Sequence, residues 1–152
     1  MTDQRLVVWY NTRCPVCDAG IDRQRNKLIA LVESGAVEFR DINLEPQALA
    51  SHGASLEDVR RRLHATDGGG RVIVGADVLL ALWHCTPGER WLAALLGNSV
   101  ARPVTRFAYD RFADALYAWN RRKRRWLALY ASPSTIRRSR TTALLPSALS
   151  AA

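Results

Sequence analysis

Apolar residues in the first part of the chain fall into short runs and alternating stretches that predict two strands and one helix. Residues 6–10 form a continuous apolar run of strand length, as expected for a strand buried on both faces. Pro15, a residue favoured in a first helical turn, opens a helix predicted over residues 15–34. The apolar stripe of this helix consists of Ile21, Leu28, Leu31 and Val32. VEFRDI at residues 37–42 alternates between apolar and charged side chains, which predicts a second strand.

The middle of the chain contains a helix signal and then a turn signal. Ser55 followed by Asp58 forms a capping-box pattern at the start of SLEDVRR, which predicts a short helix. DGGG at residues 67–70 predicts a tight turn between LHAT and RVIVG. These two flanking stretches are therefore expected to pair as an antiparallel hairpin.

The pattern beyond this hairpin is helical. Asp77 is expected to cap a helix over VLLALW, and Thr86 with Glu89 has the capping-box pattern of a further helix. From about residue 102 to residue 130 a long helix is predicted. Its apolar side chains recur with helical spacing: Val104, Phe107, Phe112, Leu116 and Trp119.

The resulting order, β-α-β-α-β-β-α followed by additional C-terminal helices, predicts an α/β fold. A parallel β-α-β unit completed by an antiparallel hairpin is a thioredoxin-like arrangement. We expect a thioredoxin-like core over residues 1–97, and a basic helical extension packed on it over residues 98–131. The small, polar and proline-punctuated residues 132–152 predict a disordered tail.

Positive charge is concentrated in the C-terminal third of the chain. Residues 1–97 carry 11 basic and 12 acidic side chains, whereas residues 98–131 carry 8 basic and 2 acidic ones. An electrostatic partner is therefore expected to bind the C-terminal region. The first residues lack a secretory signal pattern, and VLLALW is far shorter than the roughly 20 residues that cross a bilayer. These observations predict a cytoplasmic protein.

Cys14 and Cys17 stand three residues apart where the first strand gives way to the first helix. At a helix N-terminus, unpaired N–H groups and the helix dipole favour negative charge, which lowers the pKa of a thiol there. Arg13 adds a positive charge beside Cys14, and Pro15 stiffens the turn. Because the thiolate is the form that attacks disulfides, the pair predicts a redox centre in which Cys17 resolves the mixed disulfide. Such a dithiol carries two electrons itself and requires no metal or organic cofactor.

Two other interpretations of the cysteine pair remain open at this point. The thiols could bind zinc together with His84 and Cys85, although structural zinc sites usually take ligands two to four residues apart rather than adjacent ones. Two thiols one helical turn apart can also be inert core residues. Cys85 by itself is expected to be a small core residue.

These features together resemble the DCC thiol-disulfide oxidoreductase family, a bacterial thioredoxin-like family. The family signature, typically YDGxCxxC after the first strand, appears here as YNTRCPVC. Similarity continues through DGGGRVIVGADVLLALW, PGERWLAALL and RPVTRFAYDRFADALYAWNRRKRR, and so covers about residues 5–125. The resemblance implies thiol–disulfide exchange, with Cys14 as nucleophile and Cys17 as resolving thiol. The implied partner is a protein that contains a disulfide or dithiol, or a small thiol.

The sequence departs from the expected pattern at two places. Asn11 occupies the position of the motif aspartate and cannot shuttle a proton, but its amide can hydrogen-bond at the site and shape the turn. RRRLHATD lacks the cis-proline that thioredoxin-like enzymes commonly place before the third strand. Arg61, Arg62 or His64 is expected there instead, which would bring positive charge near the thiolate.

A basic run near the predicted end of the long helix offers a competing function. The chain could be a non-catalytic interaction module that binds an anionic membrane surface or a partner through this helix, each cation contributing about 1 kcal/mol. Nucleic acid is a less favoured partner, and a solvated helix end is the alternative without function. The run is flanked by Trp119 and Trp126 and consists of Arg121, Arg122, Lys123, Arg124 and Arg125.

Overall fold

The chain alternates strands and helices in the order expected from its sequence. The computed structural model describes residues 5–125. Within this range the strands are β1 (Leu6–Tyr10), β2 (Val37–Asp41), β3 (His64–Thr66) and β4 (Val72–Val74). The α-helices are α1 (Pro15–Lys27), α2 (Ile29–Glu33), α3 (Leu56–Arg61), α4 (Ala76–Cys85), α5 (Arg90–Gly97) and α6 (Ala101–Arg122). The single helix predicted over residues 15–34 is interrupted at Leu28, whose φ of −103° and ψ of 19° are not helical.

The four strands form one mixed sheet in the order β2-β1-β3-β4. β1 pairs with β2 in parallel, so that Val8 lies opposite Phe39, and pairs with β3 in the antiparallel sense, so that Val8 also lies opposite Ala65. β3 and β4 form the predicted antiparallel hairpin. A parallel β-α-β unit completed by a hairpin confirms the thioredoxin-like α/β fold.

The sheet is covered by helices on both faces, and β1 contributes to the core on each side. One core joins alternate residues of β1 to α1 and α4, through Leu6, Val8, Tyr10, Ile21, Leu28, Val78 and Leu82. The other core joins Trp9 of β1 to Val59 of α3 and to the loop residues Ile42 and Leu49. The continuous apolar run of residues 6–10 is thus explained by burial on both faces.

Two predicted helix caps are wrong, although both helices exist. Asp77 lies in the first turn of α4, which begins after Gly75, and its carboxylate accepts hydrogen bonds from Arg102 and Arg106. Thr86 is the residue that follows α4, and its hydroxyl donates to the carbonyl oxygen of Leu82. The helix α5 begins later, after Glu89. The capping box of Ser55 and Asp58 at α3 is confirmed.

Helix α6 is tied to the core by hydrogen bonds and ion pairs. Arg61 and Arg62 beside α3 pair with Asp114 and Asp110, at Nε–Oδ1 distances of 2.7 and 2.9 Å. The residues of α6 that are most buried are Ala113 and Asn120. By contrast Val104, Phe107, Phe112 and Trp119, the apolar residues that predict this helix, are exposed on it. The helix therefore docks through a face of small and polar residues.

Tyr109 anchors α6 to the residues that lead into β3 and α4. Its hydroxyl accepts a hydrogen bond from the backbone N–H of Leu63 at 3.0 Å, and Leu63 O in turn accepts one from Gly75 N at 2.8 Å. Gly75 has a φ of 70°, and a Cβ there would lie 3.4 Å from the Tyr109 ring. A side chain at residue 75 would thus be both strained and crowded.

The structure leaves some sequence-based expectations untested. The division into a core over residues 1–97 and an extension over residues 98–131 stays a prediction. Trp126 and the predicted tail over residues 132–152 lie outside the described residues. Along residues 5–125, each helix is too short or too polar to pass through a lipid bilayer.

Candidate active site

Cys14 occupies the N-cap position of α1, directly after the loop that leaves β1. Asn11 folds this loop: its side-chain Oδ1 accepts a hydrogen bond from Arg13 N at 3.1 Å, and its backbone oxygen accepts one from Cys14 N at 3.1 Å. Pro15 then fills the first helical position, where its missing N–H and fixed φ are favourable. The three residues predicted to support the site therefore shape the turn that carries the first thiol.

The sulfur of Cys14 receives hydrogen bonds from two parts of the chain. The backbone N–H of Cys17 donates to it at an N–Sγ distance of 3.3 Å, as expected for a side chain at an N-cap. Asn120, in the last turn of α6, donates through its amide Nδ2 at 3.2 Å. Both donors favour the ionised form of the sulfur.

The environment of Cys14 lowers the pKa of its thiol to about 6, from an ordinary value of 9.0. The largest cause is a hydrogen bond from the Cys17 thiol; burial opposes it, and the Cys17 N–H and the Asn120 amide add to the lowering. A group with a pKa of about 6 is roughly nine-tenths ionised at pH 7. Cys14 is thus a thiolate under neutral conditions.

Cys17 is perturbed in the opposite direction. Its hydrogen bond to Cys14, its burial and the negative charge of Cys14 all raise the pKa of the Cys17 thiol. The neighbouring sulfurs therefore have different roles available, because one holds the negative charge and the other holds the proton. Such a separation of pKa values is typical of paired groups at functional sites.

Cys14 lies at the floor of a cleft of about 430 Å³ between α1 and the C-terminal helices. Its residue surface is only 1 % exposed, and that of Asn120, which contacts its sulfur, is also 1 % exposed. Cys17 is less buried than Cys14. The Cys14 sulfur is therefore buried in this structure, with the Asn120 amide in contact with it.

The walls of this cleft are mostly apolar and come from five helices, α1 and α3 to α6. Charges at the same cleft come from Glu89 and from Arg23, Arg60, Arg61 and Arg62. Phe112 is 56 % exposed although it lines the cleft, so its ring faces open space. The apolar lining includes Leu79 and Trp83 of α4, Leu92 of α5, Phe112 and Leu116 of α6, Val16 and Ile21 of α1, and Val59 of α3.

A chain of hydrogen-bonded polar side chains also supports the loop. The guanidinium of Arg60, 4 % exposed, donates to Asn43 Oδ1 at 3.0 and 3.2 Å. Asn43 Nδ2 donates in turn to Asn11 Oδ1 at 2.8 Å. The position of Asn11, and with it the turn before Cys14, is thereby linked to α3.

The other sequence candidates lie in several environments. Arg61 and Arg62 line the cleft, and both are ion-paired with carboxylates of α6. His64 is buried in β3, where burial lowers its pKa and its Nδ1 lies 3.0 Å from Arg62 O. Their predicted effect on the thiolate stays a hypothesis. Cys85 is exposed, so its prediction as a core residue is wrong.

Two further features of thiol sites, a metal site and a cis-proline, are also compared with the structure. Between residues 5 and 125, no group of three or more His, Cys, Asp or Glu side chains is assembled as a metal site. The peptide bonds of this range are trans, so the residues before β3 contain no cis-proline.

Sequence reasoning missed Asn120, which contacts the reactive sulfur from 106 residues away. One signal was available. Asn120 follows Ala113 by seven residues, and thus continues the same helix face. An asparagine is a poor helix former in a helix interior, and on a buried face it needs a specific partner.

The comparisons with known proteins agree with this geometry. A sequence model of the DCC1-like thiol-disulfide oxidoreductase family matches residues 8–122, well over half of the 152-residue chain. Neither a curated protein nor a solved structure matches. The matched range begins in β1, contains both cysteines of the YNTRCPVC stretch and ends with α6, two residues after Asn120. The chain therefore belongs to the DCC1-like thiol-disulfide oxidoreductase family.

Proposed function

We propose that the chain catalyses thiol–disulfide exchange through Cys14 and Cys17. The observation that carries this proposal is the position of Cys14 at the N-cap of α1, where the Cys17 N–H and the Asn120 amide donate hydrogen bonds to its sulfur. This environment lowers the pKa of Cys14 and raises that of Cys17. The thiolate is the attacking species in disulfide exchange. The family to which the chain belongs supports the same chemistry.

In the first step, the Cys14 thiolate attacks one sulfur of a substrate disulfide. A new S–S bond forms between Cys14 and that sulfur, the substrate S–S bond breaks, and the other substrate sulfur leaves as a thiolate. The donors at Cys14 lose their negative partner in this step, because the charge moves to the leaving sulfur.

In the second step, Cys17 attacks Cys14 in the mixed disulfide. An S–S bond forms between Cys14 and Cys17, the bond to the substrate breaks, and the released substrate sulfur accepts the proton that Cys17 gives up. The substrate is thus reduced by two electrons and the cysteine pair is oxidised by two. A second dithiol must then reduce the pair, and the same steps in reverse oxidise a substrate dithiol.

Asn11, Arg13 and Pro15 support this chemistry as positioning residues in our proposal. The hydrogen bonds of Asn11 and the first-turn position of Pro15 hold Cys14 at the N-cap, where the N–H of Cys17 reaches its sulfur. Arg13 lies in the same turn and adds positive charge. We also propose the cytoplasm as the compartment, because a dithiol with free cysteines is maintained under reducing conditions.

The test is exchange with hydroxyethyl disulfide, with dithiothreitol as the regenerating dithiol. We expect the wild-type protein and Cys85→Ser to catalyse the reaction, since Cys85 is exposed and does not line the cleft. Cys14→Ser should abolish it. Cys17→Ser should accumulate a mixed disulfide on Cys14, visible by peptide mass spectrometry. Catalysis that survives in Cys14→Ser would refute the proposal.

A second candidate function rests on the exposed face of α6. Val104, Phe107 and Trp119 are exposed there, and the basic run over residues 121–125 follows in the last turn and beyond. Apolar side chains beside arginines favour contact with an anionic membrane surface. Flotation with phosphatidylserine vesicles tests this binding, and phosphatidylcholine vesicles are the uncharged control. A salt-titrated DNA mobility shift tests nucleic acid as the alternative partner. Vesicle binding should be unaffected by Cys14→Ser, and equal flotation with both lipids would refute the electrostatic contact.

A further inference from the structure

The cleft above Cys14 constrains the substrate because the attacked sulfur must enter it. Its walls carry the side chains of Leu79, Trp83, Leu92, Phe112 and Leu116. A volume of about 430 Å³ lies within the range of about 300–1,000 Å³ typical of sites that enclose most of a small ligand. A disulfide alone would leave most of this apolar surface in contact with water, so the cleft has room for a large apolar group beside the sulfur.

The backbone next to the cleft is not available to pair with an extended substrate. A peptide could in principle bind by adding a strand to the residues that enter β3. However, the N–H of Arg62 donates to Asp58 O at 2.9 Å, and that of Leu63 donates to the Tyr109 hydroxyl at 3.0 Å. Leu63 O accepts from Gly75 N at 2.8 Å. These three backbone groups are therefore already paired, and we expect side chains to dominate substrate recognition.

Two buried amide atoms in the cleft lining point to a peptide group as part of the ligand. Within residues 5–125, Asn120 Oδ1 and Asn11 Nδ2 have no hydrogen-bond partner, although both residues line the cleft and are at most 2 % exposed. One is an acceptor and the other a donor, so the N–H and C=O of a peptide group have the chemistry to satisfy them once Asn120 moves. Buried polar atoms without partners are costly, so a ligand that satisfies them gains affinity.

We propose that the cleft binds a polypeptide segment that carries a large apolar side chain next to its disulfide-bonded cysteine. The apolar side chain packs between Trp83 and Phe112, and the peptide group beside it moves Asn120 off the Cys14 sulfur. This inference rests on the proposed function, since it names the substrate class of the same site. Recognition is by side-chain burial rather than by strand addition.

The first test compares two disulfide-linked peptide dimers that differ only at the residue before cysteine, acetyl-Gly-Leu-Cys-Gly-amide and acetyl-Gly-Ser-Cys-Gly-amide. We expect kcat/KM to be about tenfold or more higher for the leucine peptide, because its leucine side chain is transferred from water into the apolar cleft. Hydroxyethyl disulfide serves as the substrate without an apolar group. Equal kcat/KM values for the two peptides would overturn the inference while leaving the proposed function intact. No exchange with any of the three disulfides would instead refute the proposed function itself, and the inference with it.

Gly20 offers a way to fill the cleft without touching the thiols. It lies on α1 at the cleft, and outside its own helix no described atom lies within 4 Å of a Cβ built there. Gly20→Phe should bring the ratio of the leucine-peptide to the serine-peptide kcat/KM close to one. Gly20→Ala is the matched control and should keep the preference.

Phe112→Ser provides a second variant in case Gly20→Phe fails to fold. Phe112 is exposed and lines the cleft, so its replacement removes one apolar wall at little cost to the fold. We expect the ratio of the two peptide kcat/KM values to fall at least threefold. An unchanged ratio in folded variants of both Gly20 and Phe112 would also overturn the inference.

Discussion

Replacing Asn120 by alanine removes the hydrogen bond that the last turn of α6 donates to the Cys14 sulfur at 3.2 Å. A hydrogen bond to a charged group contributes about 1.5–3 kcal/mol, and one pKa unit corresponds to about 1.4 kcal/mol. The loss alone would raise the pKa of Cys14 by about one to two units. Water that enters the vacated space restores part of the solvation, so we expect a rise of about one unit, from about 6 to about 7.

The assay is the pH dependence of Cys14 alkylation by iodoacetamide in the reduced protein, read by peptide mass spectrometry so that exposed Cys85 is followed separately. At pH 6 the thiolate fraction should fall from about one half to about one tenth, a fivefold loss relative to the plateau at high pH. The plateau rate itself should rise, because Asn120 also covers a sulfur whose residue is only 1 % exposed. Asn120→Leu should raise the pKa without raising the plateau.

Asn26, an exposed asparagine on α1, provides the matched control, and Asn26→Ala should leave both quantities unchanged. A merely structural role of Asn120 would lower stability but would leave the pKa of Cys14 at its wild-type value. The reasoning is refuted if Asn120→Ala keeps its native circular dichroism and the alkylation pKa stays near 6.

Three further predictions concern the same region. Because the folded-state pKa of Cys14 is lowered from 9.0 to about 6, the unfolded chain binds more protons between these pH values. In this window the reduced protein should gain about 1 kcal/mol of unfolding free energy per pH unit relative to Cys14→Ser, with no contribution left below about pH 6, and urea titrations at several pH values check it. Asn11→Asp places a second anionic group in the loop of Cys14 and should raise the pKa of that thiol by about one unit, and an unchanged alkylation profile would contradict this. Arg60→Met leaves Asn43 Oδ1 without its buried donor and should cost about 1–3 kcal/mol in urea denaturation, while Arg71→Met, at an exposed hairpin position, should cost less than about 0.5 kcal/mol.

The strands and the cysteine turn could be predicted because their signals are local. Each of these signals depends only on residues that are neighbours in sequence. They are the apolar run of β1, the alternation of β2, the glycine-rich turn and the proline after Cys14. The caps of α4 and α5 could not be predicted in the same way. Asp77 and Glu89 occupy positions where the sequence predicts capping residues, but their carboxylates bind cations that are distant in sequence. Asp77 pairs with Arg102 and Arg106, and Glu89 pairs with Lys27.

The docked face of α6 could not be identified from the sequence, and the role of Cys85 was mispredicted, for a related reason. Apolar periodicity selects the face of α6 with Phe107 and Phe112, yet the helix packs through Ala113 and Tyr109. The reason is that α6 lies close to Gly75 and to the cysteine turn, where only small or hydrogen-bonding side chains fit. Cys85 ends α4 on the exposed side, which its apolar character did not reveal. Such choices depend on which surface a helix meets, and a periodicity within the helix does not contain that information.

The contact between Cys14 and Asn120 also has a consequence for the order of events during synthesis. The two residues are 106 positions apart, so the nucleophile leaves the ribosome long before the amide that completes its environment. Until α6 has been made and has docked, the thiol lacks this donor and the covering side chain. The hydrogen-bonding environment of the thiol is therefore completed only after α6 has been synthesised and has docked.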